Sequence, residues 1–195
     1  MLKRLFDIAV SLVFICTLFP LFYIIIGMAI RLTSKGPVLF RQQRHGKDGR
    51  VFTCLKFRTM EPNGEADTRQ ATAYDRRITK VGSFLRKTSL DELPQFINVL
   101  KGEMSLIGPR PHMLYHTQLY SALIPGYLRR LSVKPGITGL AQVAGYRGET
   151  PDVKDMARRV RLDLWYIEHQ SLRLDLYIFF RTLRDFLGIQ KKNKL

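Results

Sequence analysis

The 195-residue chain is poor in cysteine, in histidine and in acidic side chains, and each shortage closes off a class of protein. Two cysteines, Cys16 and Cys54, cannot build a disulfide framework, so a reducing compartment is the default. With four scattered histidines they offer no zinc-ligand spacing. Sixteen Asp and Glu against 32 Lys and Arg leave a net charge of +16. That balance implies an anionic partner: nucleic acid, an anionic membrane face or a phosphorylated substrate. No internal repeat or low-complexity tract is present, and 46% hydrophobic residues exclude wholesale disorder. The length suits one domain with at most a small appendage.

Charge is missing altogether from Ile8 to Ile30, a run of 23 residues. As a straight helix it would reach about 34 Å, close to the thickness of a bilayer core. No small-x-small cleavage motif follows and the stretch is too long for a signal peptide, so the segment is expected to stay attached. Pro20 sits in its middle and should break or kink a helix. Cations flank both ends, Lys3 and Arg4 before, Arg31 and Lys35 after. Positive flanks prefer the cytoplasmic side. A helix that bends at Pro20 and returns keeps both pairs inside, whereas a spanning helix puts one pair on the wrong side. Re-entrant insertion is therefore the first expectation; a span and a buried helix of a soluble core stay open. The rest of the chain still carries +15, which would hold it beside an anionic leaflet.

Beyond Gly36-Pro37, Val38 to Gln42 and Val51 to Phe57 read as a β-hairpin. Glu61 to Arg77, with Pro62-Asn63-Gly64, reads as a mobile loop or lid. Ile78 to Leu85 leads into a helix starting near Ser89 to Asp91 and ended by Gly102. Met104 to Ile107 is a brief apolar run before the rigid turn Gly108-Pro109-Arg110-Pro111. Tyr115 to Leu131 looks helical with an interruption at Pro125-Gly126, and Val133 to Gly148 looks irregular. Thr150-Pro151 suits a helix start, with the helix running to about Glu168. Leu174 to Ile189, with interleaved arginines and Lys191, Lys192 and Lys194 after it, fits an amphipathic helix at a membrane interface or a core helix with a basic outer side.

The densest chemistry lies in Arg86-Lys87-Thr88-Ser89-Leu90-Asp91-Glu92-Leu93-Pro94. Two carboxylates sit at an expected helix N-terminus, one turn after two cations. Unpaired N–H groups and the positive dipole end favour anions there and would keep Asp91 ionised. An ionised Asp91 suits a nucleophile or metal ligand and not a general acid; Glu92 as a base stays open. The plainer reading is a helix cap, from Ser89 with Glu92 as a capping box or from Asp91 itself. Pro94 fits better with a cap at Asp91. Lys56 and Arg58 in Lys56-Phe57-Arg58-Thr59-Met60, and Arg110 held between Pro109 and Pro111, are candidate phosphate binders. Lys134-Pro135-Gly136 and Arg147-Gly148-Glu149 are weaker instances, and Asp163 and Asp175 read as surface or paired residues.

Taken together, Lys3 to Asp7, Lys56 to Met60, Arg86 to Gly102, Met104 to Pro111, Val133 to Val143 and Arg147 to Thr150 resemble the bacterial sugar transferases in order and spacing. These are monotopic phosphoglycosyl transferases that begin lipid-linked glycan assembly. The resemblance implies an α+β, mostly helical, membrane-associated fold. It would have a re-entrant helix-break-helix at 1–35, then a catalytic domain at 36–195 with a small β-hairpin and interfacial helices. It implies Asp91 as nucleophile, Glu92 as ligand of Mg2+, and Arg86 and Arg110 near the phosphates. The family breaks its membrane helix at Ser-Pro; here the pair is Phe19-Pro20. Leu140 and Ala144 stand where the family usually has Trp and Asn. The Arg147-Gly148-Glu149-Thr150 ending looks most like members that use UDP-glucose or UDP-galactose. Many of those carry a further N-terminal membrane domain, and this chain resembles their minimal catalytic unit.

The implied reaction moves a hexose 1-phosphate from a UDP-sugar to polyprenyl phosphate through an aspartyl intermediate, releasing UMP at the cytoplasmic face of the bacterial inner membrane. It needs one membrane leaflet and no nucleic acid, and leaves a homodimer open. The alternative is a membrane-anchored basic module that binds nucleic acid or anionic lipid without catalysis. Charge supports that equally, but the chain shows no aromatic-and-basic RNA-binding signature. A catalytically silent scaffold is a third reading.

Overall fold

The computed structural model describes residues 2–65, 71–72, 75–148, 150 and 152–188. The uncharged N-terminal run forms two helices, α1 (Leu2–Thr17) and α2 (Phe19–Thr33), bent by 58° at the break between them. Pro20 falls in the first turn of α2, where its missing N–H breaks no helical bond, so the chain turns just before it. Among the described residues no single helix is long and apolar enough to cross a membrane, while the bent pair together could.

Both ends of this pair are tied to the body of the protein. Near the start of α1, Arg4 donates to the carbonyls of Val99 and Leu100 at 2.6 and 3.0 Å, and Lys3 pairs with buried Asp175 at 2.8 Å. One turn later Asp7 accepts from the Leu106 N–H at 3.0 Å. Beyond α2, the Arg58 guanidinium donates to the carbonyls of Ser34 and Pro37 at 3.1 and 2.6 Å. The cores are shared as well. Phe6 and Val10 pack on the cluster around Val99, Met104 and Ile178, and Phe19, Ile26 and Ile30 cluster with Phe57 and Leu85. α1 and α2 thus contribute to the same cores as the rest of the described residues.

β1 (Leu39–His45) and β2 (Val51–Phe57) form the hairpin, longer at its first strand than the apolar run suggested. The register runs from Leu39 opposite Phe57 to His45 opposite Val51, so polar Gln43 and Arg44 are carried into the ladder by their partners. Asn98 of α4 (Gln95–Lys101) pins the hairpin, accepting from Leu55 N–H at 3.0 Å and donating to the Thr53 carbonyl at 2.7 Å. The loop from 61 is closed at its base, where Glu61 N–H donates to the Arg77 carbonyl at 3.0 Å. The middle of that loop, with Glu149, Pro151, Ile189, Lys191, Lys192 and Lys194, lies outside the described residues.

After α3 (Lys80–Thr88) and α4, β3 (Ser105–Ile107) pairs in parallel with β4 (Gly136–Thr138). This ladder brings Gly108 against Gly136 and Gly139. A Cβ at Gly136 would stand 2.2 Å from the Gly108 nitrogen, so no side chain fits there. α5 (Leu114–Leu123), a 3₁₀ turn (Tyr127–Ser132), the short α6 (Leu140–Val143), α7 (Val153–Glu168) and α8 (Leu172–Phe186) complete the fold. α7 starts at Asp152, whose carboxylate accepts from Asp155 N–H at 2.7 Å, and not at Thr150-Pro151. Leu140 and Ala144 sit at the two ends of α6; Ala144 is buried and Leu140 packs on the main core. α8 packs on the core by one side and leaves apolar side chains bare on the other. Ile178 is fully buried while Tyr177, Phe180, Leu183 and Phe186 stay exposed.

Candidate active site

A cleft of about 1330 Å³ opens between the hairpin, α3 and the turn after β3. Lys56, Arg58, Arg86, Asp91, Arg110 and Pro111 all line it, so residues spread over more than fifty positions converge. Asp91 lies in a 3₁₀ turn, Leu90–Glu92, between α3 and α4. The chain enters that turn through Ser89 in the left-handed region (φ 65°), a conformation costing a non-glycine residue roughly 1–2 kcal/mol.

No helix cap is made here. Ser89 makes no side-chain capping bond, Pro94 precedes α4, and α4 begins only at Gln95. Both cap readings therefore fall. Pro94 has no N–H, the 3₁₀ turn supplies its own bonds, and the two carboxyl groups are left for other partners.

Those partners divide unequally. Glu92 is buried and does not line the cleft. Lys56 Nζ stands 2.8 Å from its Oε1, and Arg110 grips both of its oxygens, with Nη1 3.2 Å from Oε2 and Nη2 on Oε1. Arg147 Nη2 is 3.8 Å from Oε2. Burial alone would raise its pKa, but Arg110, Lys56 and Arg147 hold it well below the usual carboxylate range. Asp91 lines the cleft with a lighter attachment, Lys56 Nζ at 3.9 Å from Oδ2. Burial is the larger influence and pushes its pKa up, with Glu92 adding to the rise and Lys56, Arg110 and Arg86 opposing it. The expectation that cations and a helix terminus would depress it is corrected: the helix starts four residues later, and the protein excludes most water from the carboxyl.

The aim of Arg110 comes from its backbone. Three successive carbonyls are held: Pro109 by Gly136 N–H at 2.9 Å, Arg110 by Arg130 Nη2 at 2.8 Å, and Pro111 by Arg44 Nη1 at 2.6 Å. Arg130 in turn pairs with Asp163 of α7 at 2.7 Å, both side chains almost wholly buried. This Asp163–Arg130 support was invisible in sequence, since nothing local links a 3₁₀ turn to a helix 33 positions on. Asp175 is likewise buried, against Lys3 and Tyr166. Arg58 lines the cleft, yet its guanidinium is engaged by the carbonyls after α2. Arg86 is exposed at the rim and donates to Thr59 Oγ1 at 3.4 Å.

Asp91 and Glu92 thus sit among four cations, Lys56, Arg86, Arg147 and the doubly proline-fixed Arg110. The family model for bacterial sugar transferases matches residues 1–188. The chain belongs to the bacterial sugar transferase family. It is 52% identical over 192 residues to a Klebsiella pneumoniae protein named UDP-glucose:undecaprenyl-phosphate glucose-1-phosphate transferase, covering 98% of this chain and 41% of that protein. Proteins of the same name from Escherichia coli and Caulobacter vibrioides are 49% and 47% identical, over 98% and 95% of this chain and 41% and 69% of their own lengths. The chain thus spans about two-fifths of the length of the first two of these relatives.

Proposed function

We propose that this sugar transferase moves a hexose 1-phosphate from a UDP-sugar to undecaprenyl phosphate, in two steps through Asp91. The observation that carries this reading is the unequal treatment of two adjacent carboxyl groups. Glu92 is clamped by cations and does not line the cleft, while Asp91 lines it with its nearest cation at 3.9 Å. A carboxylate oxygen of Asp91 bonds to the β-phosphorus of the donor as the bond to the bridging oxygen breaks, and UMP leaves with that electron pair. A phosphate oxygen of the lipid acceptor then bonds to the same phosphorus, and the aspartate leaves. Lys56, Arg110 and Arg86 oppose the charge that develops on the phosphoryl oxygens, so most of the catalysis is positioning and electrostatics. The relatives' names make UDP-glucose the first donor to test.

The donor set suits magnesium. Among the described residues no three His, Cys, Asp or Glu side chains gather, but Mg2+ commonly takes one or two carboxylates and completes its shell with substrate phosphates and water. Asp91 would hold it together with substrate phosphate, and Glu92 would join only once Lys56 or Arg110 gives up one of its oxygens; when bound it would neutralise phosphate charge.

The acceptor is confined to a bilayer, and the bent helix pair suits one-leaflet insertion. Leu12, Val13, Leu21, Ile24, Ile25 and Met28 are exposed on α1 and α2, far more apolar surface than a soluble helix pair leaves bare. The anchoring of both ends to one body supports re-entry, and the cations flanking both ends favour the cytoplasmic face of the bacterial inner membrane. The chain would then act at the first membrane step of glycan assembly.

The test is incubation with UDP-glucose labelled in the β-phosphate, with Mg2+ and no acceptor. Label should stay on the protein as UMP is released, and vanish in Asp91→Asn. Label retained by that variant removes Asp91 from its role. Salt-sensitive DNA binding with no UMP release from any UDP-sugar would return the basic binding module.

A further inference from the structure

Three buried polar atoms that find no hydrogen-bond partner among the described residues belong to side chains lining this cleft: His112 Nε2, Thr150 Oγ1 and Arg159 Nε. All three residues are more than nine-tenths buried. Native folds satisfy nearly all such atoms, so unmet ones gathered around an opening point to a ligand.

Their chemistry narrows what it is. Arg130 Nη1 lies 3.0 Å from His112 Nδ1 and can only donate, so Nδ1 accepts and the ring proton sits on Nε2. Burial, then Arg130, Arg159 and Arg44, hold His112 well below the ordinary imidazole pKa, which keeps that ring neutral. Arg159 Nη2 donates to the Gly148 carbonyl at 3.0 Å, and the ion pairs among the described residues do not include Arg159. Asp163, the acidic group nearest in effect, is already committed to Arg130. The His112 Nε2–H, the Thr150 hydroxyl and the Arg159 guanidinium suit an oxygen-rich anion.

We propose that His112, Thr150 and Arg159 form a second phosphate site in the cleft, for a phosphoryl group other than the one Asp91 attacks. The inference rests on the proposed transfer reaction, which supplies two such groups: the phosphate of the departing UMP and the phosphate of the prenyl acceptor.

Calorimetric titration of the full chain in lipid nanodiscs separates them, with UMP in one arm and farnesyl phosphate in the other. Thr150→Val removes a hydroxyl with no hydrogen-bond partner among the described residues, so thermal stability should hold or rise. Affinity for one of the two ligands should still fall about two- to tenfold. Arg159→Met should weaken the same ligand more. Loss in the UMP arm assigns the site to the nucleotide, loss in the farnesyl arm to the lipid. Should Arg159→Met fail to fold, Thr150→Val decides alone. Unchanged affinity for both ligands in the folded variants, or no binding of either by the unaltered protein, overturns the site. UMP release from UDP-glucose is measured in parallel. Turnover with unchanged affinities sinks only this inference, and phosphate binding without turnover sinks only the transferase reading.

Discussion

Lys56, Arg110 and Arg147 converge on Glu92 and leave Asp91 with Lys56 at 3.9 Å, and this asymmetry has consequences for stability as well as chemistry. The folded-state pKa of Glu92 is lowered, so its ionised form stabilises the fold above the unfolded carboxylate pKa, and that contribution is lost as pH falls through the folded value. The pKa of Asp91 is raised, so near neutrality its ionised form opposes folding. Two near-isosteric variants should therefore part company. Glu92→Gln leaves Arg110 and Lys56 buried or half-buried against a neutral amide and should cost about 3–5 kcal/mol. For a chain of this size that is a Tm lower by roughly 6–20 °C. Asp91→Asn should abolish UMP release with Tm unchanged or higher. Thermal unfolding of both in the same detergent is the check. Equal losses would mean the two carboxyl groups share one structural duty and would undercut the assignment of Asp91 to the cleft.

At the scale of elements, the turn from Gly108 to Pro111 shows what the sequence could and could not reveal. Two prolines around Arg110 announce a fixed backbone, because each sets its own φ and restrains its predecessor. The paired carboxylates, the hairpin and the helix end at Gly102 were legible for similar reasons: each depends on neighbours a few residues away. The direction in which Arg110 points was not, because Arg130, Arg44 and Gly136 hold its turn from three separate elements. Nor was the 3₁₀ turn at Asp91. Ser89 enters it in a left-handed conformation that local propensity disfavours, and only packing on α3 and β2 sustains it. The buried Asp163–Arg130 pair can be tested apart from the fold it supports. Arg130→Met leaves Asp163 buried without its cation and should cost about 3–5 kcal/mol. Adding Asp163→Leu removes the stranded charge and should recover most of the Tm. UMP release should stay low in the double variant, because the Arg110 carbonyl has lost its Arg130 donor. Recovery of activity along with Tm would reduce the pair to a packing element.

For the whole molecule, the proposed one-leaflet insertion requires both ends of the bent pair to lie on one side of the bilayer. Arg4 on the end of α4 and Arg58 on the segment after α2 tie both ends of the bent pair to the rest of the fold. A span would have to pull one tie apart, losing charge-assisted bonds of about 1.5–3 kcal/mol each. Cys16, exposed in the last turn of α1, is a native reporter of depth, since Cys54 is buried and should stay silent. In sealed vesicles a charged maleimide should fail to label Cys16 and should label it once detergent is added. In a Cys16→Ser background, Leu2→Cys and Lys35→Cys mark the two ends at exposed positions. Both should react from the cytoplasmic face, in inverted vesicles and not in spheroplasts. Reaction of Leu2→Cys from the opposite face would establish a span, and the α1 contacts to α4 and Asp175 would then have to break in the membrane. Ready labelling of Cys16 in intact vesicles would instead place the bent pair outside the hydrocarbon, and the cleft would lose its route to a lipid-borne acceptor.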